Sequence, residues 1–507
     1  MPKIEIIEKD YTTPGIGDYA NFSVVVPGFC GKPVAEGIFD DNGIYEVSSQ
    51  SDFLDNIGPV SAGNSVRVFA KPELINYSKE HVDPMANYLK KLTGEEFYST
   101  YKGEVYTVTE VKNFNSQTEG KGIIKIEVLN DRGEVATYQY FKTTKAENWA
   151  ADTNYVVIKK GNEGQDAESI IHYGNQIAYE LLGLGYTVLY KNLTNKTVDE
   201  DFLKPLLDKA NYDFRFIITG YLNPTAAQNN AIAKTATARG DCIAICDIPE
   251  NEYINKDTTE AVAAIKGYVA AVSSADKFST FVVPSLCYKL SYPLKAGDTT
   301  ETIYSNTKFP GGFHYLACFA HSVRDLNFAE WYAAAGYTRG TSRYSIESTS
   351  IKLGESAIAA LEPRNKVDGG IEKAVNVIAK FRNNYILWGN RTAHSLDTKD
   401  LVASHFLNIR QLCTTIKKEL YVACRKFTFD PNSDVLWINF CNAIRPTLDA
   451  MKADQGIDDY EIIKVATTQK ATLKARIRIV PIEAVEDFVI ELSLEDSLGD
   501  TNVTITE

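Results

Sequence analysis

Histidine and cysteine, the side chains most used for metal binding and nucleophilic catalysis, are scarce in this chain. Its 507 residues include 6 histidines and 8 cysteines. The cysteines are scattered along the sequence, which is typical of a reducing compartment and does not indicate a disulfide framework. With no pairing pattern among the histidines, general acid–base chemistry has few candidates.

Long apolar runs and clustered positive charge are also missing. No apolar run approaches the ~20 residues that a bilayer span requires, and "MPKIEIIEKD" at 1–10 has charges where a signal peptide needs an apolar core. The formal net charge is −13, whereas binding to nucleic acid or to anionic membranes needs a positive surface. We therefore expect synthesis in a cytoplasm, no membrane insertion and no nucleic-acid partner.

Motifs for nucleotide binding and hydrolysis are absent as well. The Gly-rich stretch "GNEGQDAES" at 161–169 lacks the lysine of a phosphate-binding loop. The sequence "GLG" at 183–185 precedes a strand and does not follow one, which is typical of a helix C-cap and not of a dinucleotide-binding loop. Neither a Gly-x-Ser-x-Gly elbow nor a His-Glu-x-x-His pair occurs. We expect no cofactor and no catalytic residue.

One constellation keeps an enzyme in consideration. His314, Cys318 and His321 have the spacing of a single helix face, with Asp325 one turn further on. Such a face could hold zinc, which would make the protein a cytosolic metal-dependent α/β enzyme. The alternative is a packed helix face made of small and amphipathic side chains.

The apolar periodicity divides the chain into six segments. Residues 1–20 and 499–507 each contain one short strand, in which Ile4 and Ile6, and Val503 and Ile505, alternate with polar neighbours. A single strand next to a breaker cannot bury a face by itself. Between these two arms we distinguish a mixed segment (21–95), a β-rich insertion (96–160), an α/β segment with helices alternating with apolar strands (161–365) and a C-terminal segment (366–498).

The C-terminal segment has the clearest pattern. A helix is predicted at 399–424, with an apolar stripe from Val402 to Leu420, and a second helix is predicted to start at Asp430-Pro431. Two strands follow, at 473–481 and 487–495. In the first, Ile477 and Ile479 alternate with basic residues; in the second, Phe488, Ile490 and Leu492 alternate mostly with acidic ones. If the two strands pair, a basic row and an acidic row meet across the sheet.

Four stretches of this segment, in this order, resemble the C-terminal domain of contractile tail sheath proteins. They are "FRNNYILWGNRTA" (381–393), "FLNIRQLCTTIKKEL" (406–420), "FTFDPNSDVLWINFCNAIRPTLDAMKADQGIDDYEI" (427–462) and "LKARIRIVPIEAVEDFVIELSLE" (473–495). The residues that carry the family pattern there are Asn408, Arg410, Pro431, Asn432, Trp437, Pro481 and Glu486. Weaker similarities are "VPGFCGKPVAEGIF" (26–39) and "AEWYAAAGYTRG" (329–340).

The resemblance implies an α+β multidomain fold. Its core would be built from N- and C-terminal parts, with helices packed on a mixed or antiparallel sheet, and would carry the β-rich and α/β segments as inserted domains. Sheath subunits stack as hexameric rings around an inner tube and contract to drive that tube through a target cell envelope. The implied partners are other copies, the tube protein, and baseplate and tail terminator proteins; the implied location is a virion tail or a phage-derived injection particle assembled in the host cytoplasm. A baseplate or other virion protein that shares the core is an alternative.

The resemblance also suggests roles for particular residues. The two arms would add strands to a neighbouring subunit, with Ile4, Ile6, Val503 and Ile505 filling pockets over an acceptor sheet that contains Ile477, Ile479, Phe488, Ile490 and Leu492. Arg410, Lys417 and Lys418 lie in a basic run of the helix at 399–424 and are candidates for contact with the tube. We expect Trp388, Gly389, Arg391, Thr392 and Trp437 to be structural, with Trp388 in the core and Gly389 at a tight bend.

Overall fold

The structure is a computed structural model of the chain. It describes residues 22–28, 38–57, 68–75, 96–98, 105–111, 123–129, 135–142, 156–160, 173–193, 197–293, 301–362, 373–382, 384–396, 401–468 and 471–484. For the strands between 68 and 160, and for 291–293 and 301–307, only the backbone is described.

An eight-stranded sheet forms the centre of the body. Its order is β17-β16-β12-β11-β10-β1-β9-β2, parallel except for the two edge strands β2 and β17. The strands are β1 (Ser23–Gly28), β2 (Ile44–Val47), β9 (Thr187–Asn192), β10 (Phe216–Ile217), β11 (Ile243–Asp247), β12 (Ser279–Val283), β16 (Asn376–Phe381) and β17 (Asn384–Trp388).

Helices cover both faces of this sheet, as its buried strands require. Successive residues of a strand point to opposite faces, so Val24 and Val26 belong to one apolar cluster and Val25 to the other. The first face carries α1 (Gln50–Asn56), α2 (Gly174–Gly183) and α6 (Gly311–Ala320), and the second carries α3 (Glu200–Leu203), α4 (Ala226–Arg239), α5 (Thr258–Ala271) and α8 (Glu355–Leu361). A short helix, α7 (Gly336–Arg339), contacts β17.

The predicted alternation of helices and apolar strands in the α/β segment is confirmed. The sheet is nevertheless larger than that segment, because β1 and β2 come from the predicted segment 21–95 and β16 and β17 from the segment 366–498. Mixed helices and sheets agree with the predicted α+β class. The division into six segments stays a prediction.

Three three-stranded antiparallel sheets accompany the central one. One has the order β14-β13-β15, and the other two, β3-β6-β7 and β4-β5-β8, account for the predicted β-rich insertion and extend it back to residue 68. Their strands are β3 (Val68–Ile75), β4 (Glu96–Tyr98), β5 (Val105–Val111), β6 (Ile123–Leu129), β7 (Val135–Lys142), β8 (Val156–Lys160), β13 (Leu286–Pro293), β14 (Glu301–Phe309) and β15 (Ile346–Thr349).

The last described part of the chain forms what we call the C-terminal unit. It consists of two twenty-residue helices, α9 (Leu407–Lys426) and α10 (Asp434–Ala453), and a two-stranded antiparallel sheet, β18 (Ile457–Val465) and β19 (Lys474–Pro481). The first half of α9 is buried against the body, whereas most of its second half is exposed.

Two sequence predictions for this unit are corrected, and one strand was missed. The helix predicted at 399–424 begins only at Leu407, after a 3₁₀ turn at Ala403–His405, so Val402 is exposed and outside the stripe. The next helix is capped by Ser433, whose hydroxyl accepts the N–H of Leu436, and not by Asp430. Strand β18 was missed because its alternation is broken by the pair Ile462-Ile463.

Candidate assembly surface

The His314–Asp325 face does not assemble a metal site. In α6, His314 is buried beside the Tyr288 hydroxyl, with 3.2 Å between Nδ1 and Oη, and burial lowers its pKa to about 3. Cys318 is also buried, which raises the pKa of its thiol well above the usual range. His321 instead lies 2.8 Å from Asp325 in a π-helical turn at the end of α6. Across the described residues, no group of three or more His, Cys, Asp or Glu side chains could hold a metal ion.

The sheet edge where doubly wound enzymes bind ligands is occupied by the chain itself. Strands β9 and β10 lie on opposite sides of β1, so the strand order reverses direction between β1 and β10. The carboxyl ends of the strands at such a reversal are the usual ligand position in these sheets. Here the Tyr173 N–H donates to the Gly220 carbonyl at 2.7 Å, and the Tyr190 hydroxyl donates to Asn175 at 2.8 Å. These polar groups therefore bind one another.

Arg391 lies at a junction between the central sheet and α9. The Asn376 side chain accepts the Arg391 N–H at 2.8 Å and donates to the Arg391 carbonyl at 2.9 Å. The guanidinium is buried, 4.7 Å from the Phe406 ring centroid and 3.4 Å from Glu362. This geometry suits a planar cation that joins elements and offers no reacting group.

The neighbours of Arg391 extend the same junction. Thr392 is buried, and its hydroxyl and N–H bind the carbonyls of Ser404 and His405, each at 2.8 Å. Gly389 is required by close approach, because a Cβ there would lie 2.7–3.0 Å from Asn376; the structure gives no left-handed backbone at this position. Glycine therefore admits the Asn376 side chain, and the tight bend expected at Gly389 stays a prediction.

Trp388 does not fill the core as predicted. Its side chain is 36% exposed and packs with Tyr337 and Phe381, whose ring centroids lie 5.6 and 4.9 Å away. It lies on edge strand β17, so the three aromatic rings cover the end of the sheet.

The predicted tube-facing residues are largely engaged within the chain. Arg410 is buried with its guanidinium 4.7 Å from the Phe278 ring. Lys418 pairs with Asp213 and donates to the Phe214 carbonyl at 2.9 Å, and desolvation lowers its pKa. These two are withdrawn as tube contacts, because the first half of α9 packs on the body. Lys417 is exposed, although its ammonium donates to the Gly240 carbonyl at 2.6 Å.

A buried tryptophan ties the C-terminal unit to the body. Trp331, which lies in the quoted segment 329–340, donates its indole N–H to the Asp454 carbonyl at 3.0 Å. Gly456 packs against the same ring, where a Cβ would lie 2.7 Å from Nε1. Trp437, in contrast, is half-buried in α10, 5.9 Å from Phe440 and under the Lys464 ammonium.

The sheet of β18 and β19 has two different faces. Tyr460, Ile462, Ile477 and Ile479 pack towards α10. Lys474, Arg476 and Arg478 of β19 point to solvent, with Arg478 paired to Glu461 at 3.2 Å. Within the described residues these two strands pair only with each other, so each has one edge without a partner strand.

The remaining predicted site residues lie outside the described residues. These are the donor-strand residues Ile4, Ile6, Val503 and Ile505 and the acceptor residues Phe488, Ile490 and Leu492. The pairing of 473–481 with 487–495 therefore stays a prediction.

Sequence analysis missed a group of exposed apolar side chains in the C-terminal unit. Phe429, in the loop between α9 and α10, is fully exposed, and Val422, Val435 and Ile438 are more than half exposed. For Phe429, Val435 and Ile438 the signal was present in "FTFDPNSDVLWI" (427–438), where apolar residues interrupt a polar loop and the outer face of a helix. Large exposed apolar patches are typical of interaction surfaces.

No helix in the described parts of the chain is long and apolar enough to cross a membrane. The described residues contain no metal cluster. Most of the large apolar side chains that are exposed among the described residues lie in the C-terminal unit. That unit is the candidate for assembly with other molecules.

Comparison with known proteins gives one curated relative and several solved structures. No protein-family model matches the chain. The chain is 23% identical over 249 residues to the tail sheath protein of Vibrio phage KVP40, an alignment that covers 47% of this chain and 34% of the relative. The chain thus spans about a third of the length of this relative.

Three solved structures that resemble the chain have TM-scores below 0.5. A sheath complex of the extracellular contractile injection system PVC, in the contracted state, gives a TM-score of 0.42 at 16% identity and covers 62% of this chain and 77% of that one. The contracted helical sheath of the anti-feeding prophage gives 0.42 at 16% identity, with 61% and 79% covered. A sheath tail protein from Desulfitobacterium hafniense gives 0.38 at 12% identity, with 95% and 100% covered. The resemblance to contractile tail sheath proteins, which the sequence indicates, is confirmed by the curated relative.

Proposed function

We propose that this chain is a non-enzymatic structural subunit of a contractile sheath. Copies would stack as helical, hexameric rings around an inner tube, and contraction of the lattice would drive the tube through a cell envelope. Baseplate and tail terminator proteins would bound the lattice at its ends. The subunit would be assembled in a host cytoplasm and would act in a virion tail or a related injection particle.

The observation that carries this proposal is the incomplete sheet of the C-terminal unit. The sheet of β18 and β19 has an apolar inner face packed on α10, a charged outer face and two edges without a described partner strand. Unpaired edges favour the addition of a further strand through main-chain hydrogen bonds. Residues 3–8 and 502–507 have the alternating pattern that such an added strand needs.

Strand exchange also explains how a lattice could change shape while staying connected. Pro14, Gly15 and Gly17 follow the first predicted donor strand, and Gly499 precedes the second. Such residues allow the chain to bend. Each subunit could then rotate while its donor strands remain paired in the neighbouring sheet.

The inner tube is the proposed second partner. Of the three basic residues first considered, Lys417 is the one that stays exposed on α9. Exposed ion pairs contribute only ~0–1 kcal/mol each, which suits a contact that must be released when the sheath contracts.

Negative-stain electron microscopy of the purified full chain tests the proposal. We expect long striated tubes from the unaltered chain, and subunits or short fragments when residues 1–12 or 500–507 are deleted. Deletions that polymerise as well as the full chain would contradict strand exchange. Isolated rings without tubes would favour a baseplate component that shares the core.

A further inference from the structure

Phe429 projects from the loop between α9 and α10 in an unusual conformation. Its side chain is 101% exposed relative to the reference state, and its backbone φ is +78°. Left-handed backbone is strained for a bulky residue, and such strain concentrates at functional and binding segments. The neighbouring Phe427 is half-buried in the apolar cluster of the unit, so the loop places one phenylalanine inward and one outward.

A groove with mostly apolar lining runs between α9 and α10, the two helices that the Phe429 loop connects. It offers a volume of about 110 Å³, somewhat below the roughly 150 Å³ of an apolar cavity that binds a benzene ring. Most of its lining residues are apolar, and two charged side chains on α9, Glu419 and Lys426, stand two turns apart along it. Its apolar lining includes Leu420, Val422, Ala423, Ala443, Ile444 and Leu448.

We propose that Phe429 of one copy docks in the groove between α9 and α10 of a second copy. Charge complementarity supports this occupant, because Asp430 follows the exposed phenylalanine and Lys426 lies on the groove. Both side chains are exposed, and neither forms an ion pair with the described residues. Asp430 would meet Lys426 and point away from Glu419, which fixes the direction of the inserted loop.

The contact has a consequence for the kind of assembly it supports. The projecting loop and the groove are different surfaces, so the contact is heterologous and can repeat from copy to copy without closing on a dimer. It rests on the proposed self-assembly and adds a contact between folded units that is independent of the two terminal strands.

Self-association of the full chain tests this inference, measured by sedimentation velocity and by negative-stain microscopy. Phe429→Ala removes the projecting ring, and Ala443→Trp fills the groove from an exposed helix position. Each should weaken association about tenfold or more, as loss of a central aromatic anchor does. Tyr337→Ala is the matched control, because Tyr337 is another exposed aromatic (63%) on the body, and it should leave association within about twofold of the unaltered chain.

A charge exchange gives a more specific readout. Asp430→Lys and Lys426→Asp should each weaken association, and the doubly exchanged chain should recover most of it, since rescue requires the two side chains to meet. Phe429 and Ala443 are exposed, so the thermal midpoints of the variants at these two positions should match that of the unaltered chain.

The outcomes separate this inference from the proposed function. Normal tubes from both Phe429→Ala and Ala443→Trp would overturn the loop-in-groove contact and leave the sheath proposal standing. Weakening by Phe429→Ala but not by Ala443→Trp would also overturn it, because the ring would then bind a different surface, such as the tube. Failure of the unaltered chain to form any assembly would contradict the proposed function itself.

Discussion

Strand β11 of the body and strand β19 of the C-terminal unit differ in burial and in pairing. All five residues of β11 are buried and the strand is paired on both sides. Strand β19 alternates exposed and half-buried residues and is paired on one side among the described strands. Strand β11 thus lies inside its sheet, whereas β19 lies at an edge to which a further strand could be added.

Exposed apolar side chains follow the same division. Of the twelve large hydrophobic residues that are exposed among the described residues, seven lie between Tyr421 and Ile482. The body in turn buries polar groups, such as Asp247 and Arg391, and binds them internally. The body therefore satisfies its polar groups within the chain, whereas the C-terminal unit exposes apolar side chains and has strand edges without a partner among the described residues.

Removing the buried guanidinium of Arg391 should produce the largest effect. Arg391→Ala deletes the contact with Phe406 and leaves Glu362 without this cation, and breaking a buried pair costs about 3–5 kcal/mol. Urea denaturation of the full chain should show a corresponding fall in the free energy of unfolding. Arg425→Ala, an exposed arginine of α9, serves as the control and should change it by less than about 0.5 kcal/mol.

Trp331→Ala should separate the two regions without unfolding the body. The change removes the indole bond to Asp454 and opens a cavity beside Gly456, and such truncations cost about 3–5 kcal/mol where the site cannot collapse. Hydrogen exchange should accelerate in α10 and β18 and stay unchanged in β11. Equal acceleration in both regions would contradict the view that they are separately stabilised.

The body was more predictable from sequence than the C-terminal unit, for a physical reason. Buried parallel strands such as β11 are apolar throughout, so "CIAIC" predicts its strand directly. Long-range pairing leaves no local signal, which is why the entry of β1 between β9 and β10 was not foreseen. Likewise, the apolar pattern of the helix does not predict that Arg410 and Lys418 contact the body while Lys417 stays exposed. That difference depends on how the helix packs on the body.

Asp247 should make the body sensitive to pH. Burial raises the pKa of its carboxyl to about 7, partly offset by the hydrogen bond from the Gly312 N–H. An acid whose folded pKa lies above its unfolded value stabilises the fold at low pH, and this stabilisation is lost as the pH rises towards 7. The advantage of the unaltered chain over Asp247→Asn should therefore fall by about 1.4 kcal/mol per unit between pH 5 and 7.

Asparagine keeps an oxygen that can accept the Gly312 N–H and carries no charge. The difference between Asp247→Asn and the unaltered chain therefore reports the titration of the Asp247 carboxyl. The comparison is made by urea denaturation at pH 5, 6, 7 and 8, with each variant measured against the unaltered chain. A difference that stays constant over this range would mean that Asp247 does not titrate there. His314 contributes in the opposite direction, since its lowered pKa removes stability as the pH falls below its ordinary value, but this contribution is common to both chains.

The smallest effect is expected on the outer face of β18–β19. The Arg478–Glu461 pair is exposed on both sides, and such pairs couple by about 0.2–1 kcal/mol, less at high salt. A double-mutant cycle with Arg478→Ala and Glu461→Ala measures this coupling by thermal unfolding. Ile477→Ala, on the adjacent position of the apolar face, should cost about 2 kcal/mol or more. A coupling free energy as large as the cost of Ile477→Ala would mean that both faces stabilise the sheet. The contrast between β19 and β11, on which the proposed site for an added strand depends, would then be contradicted.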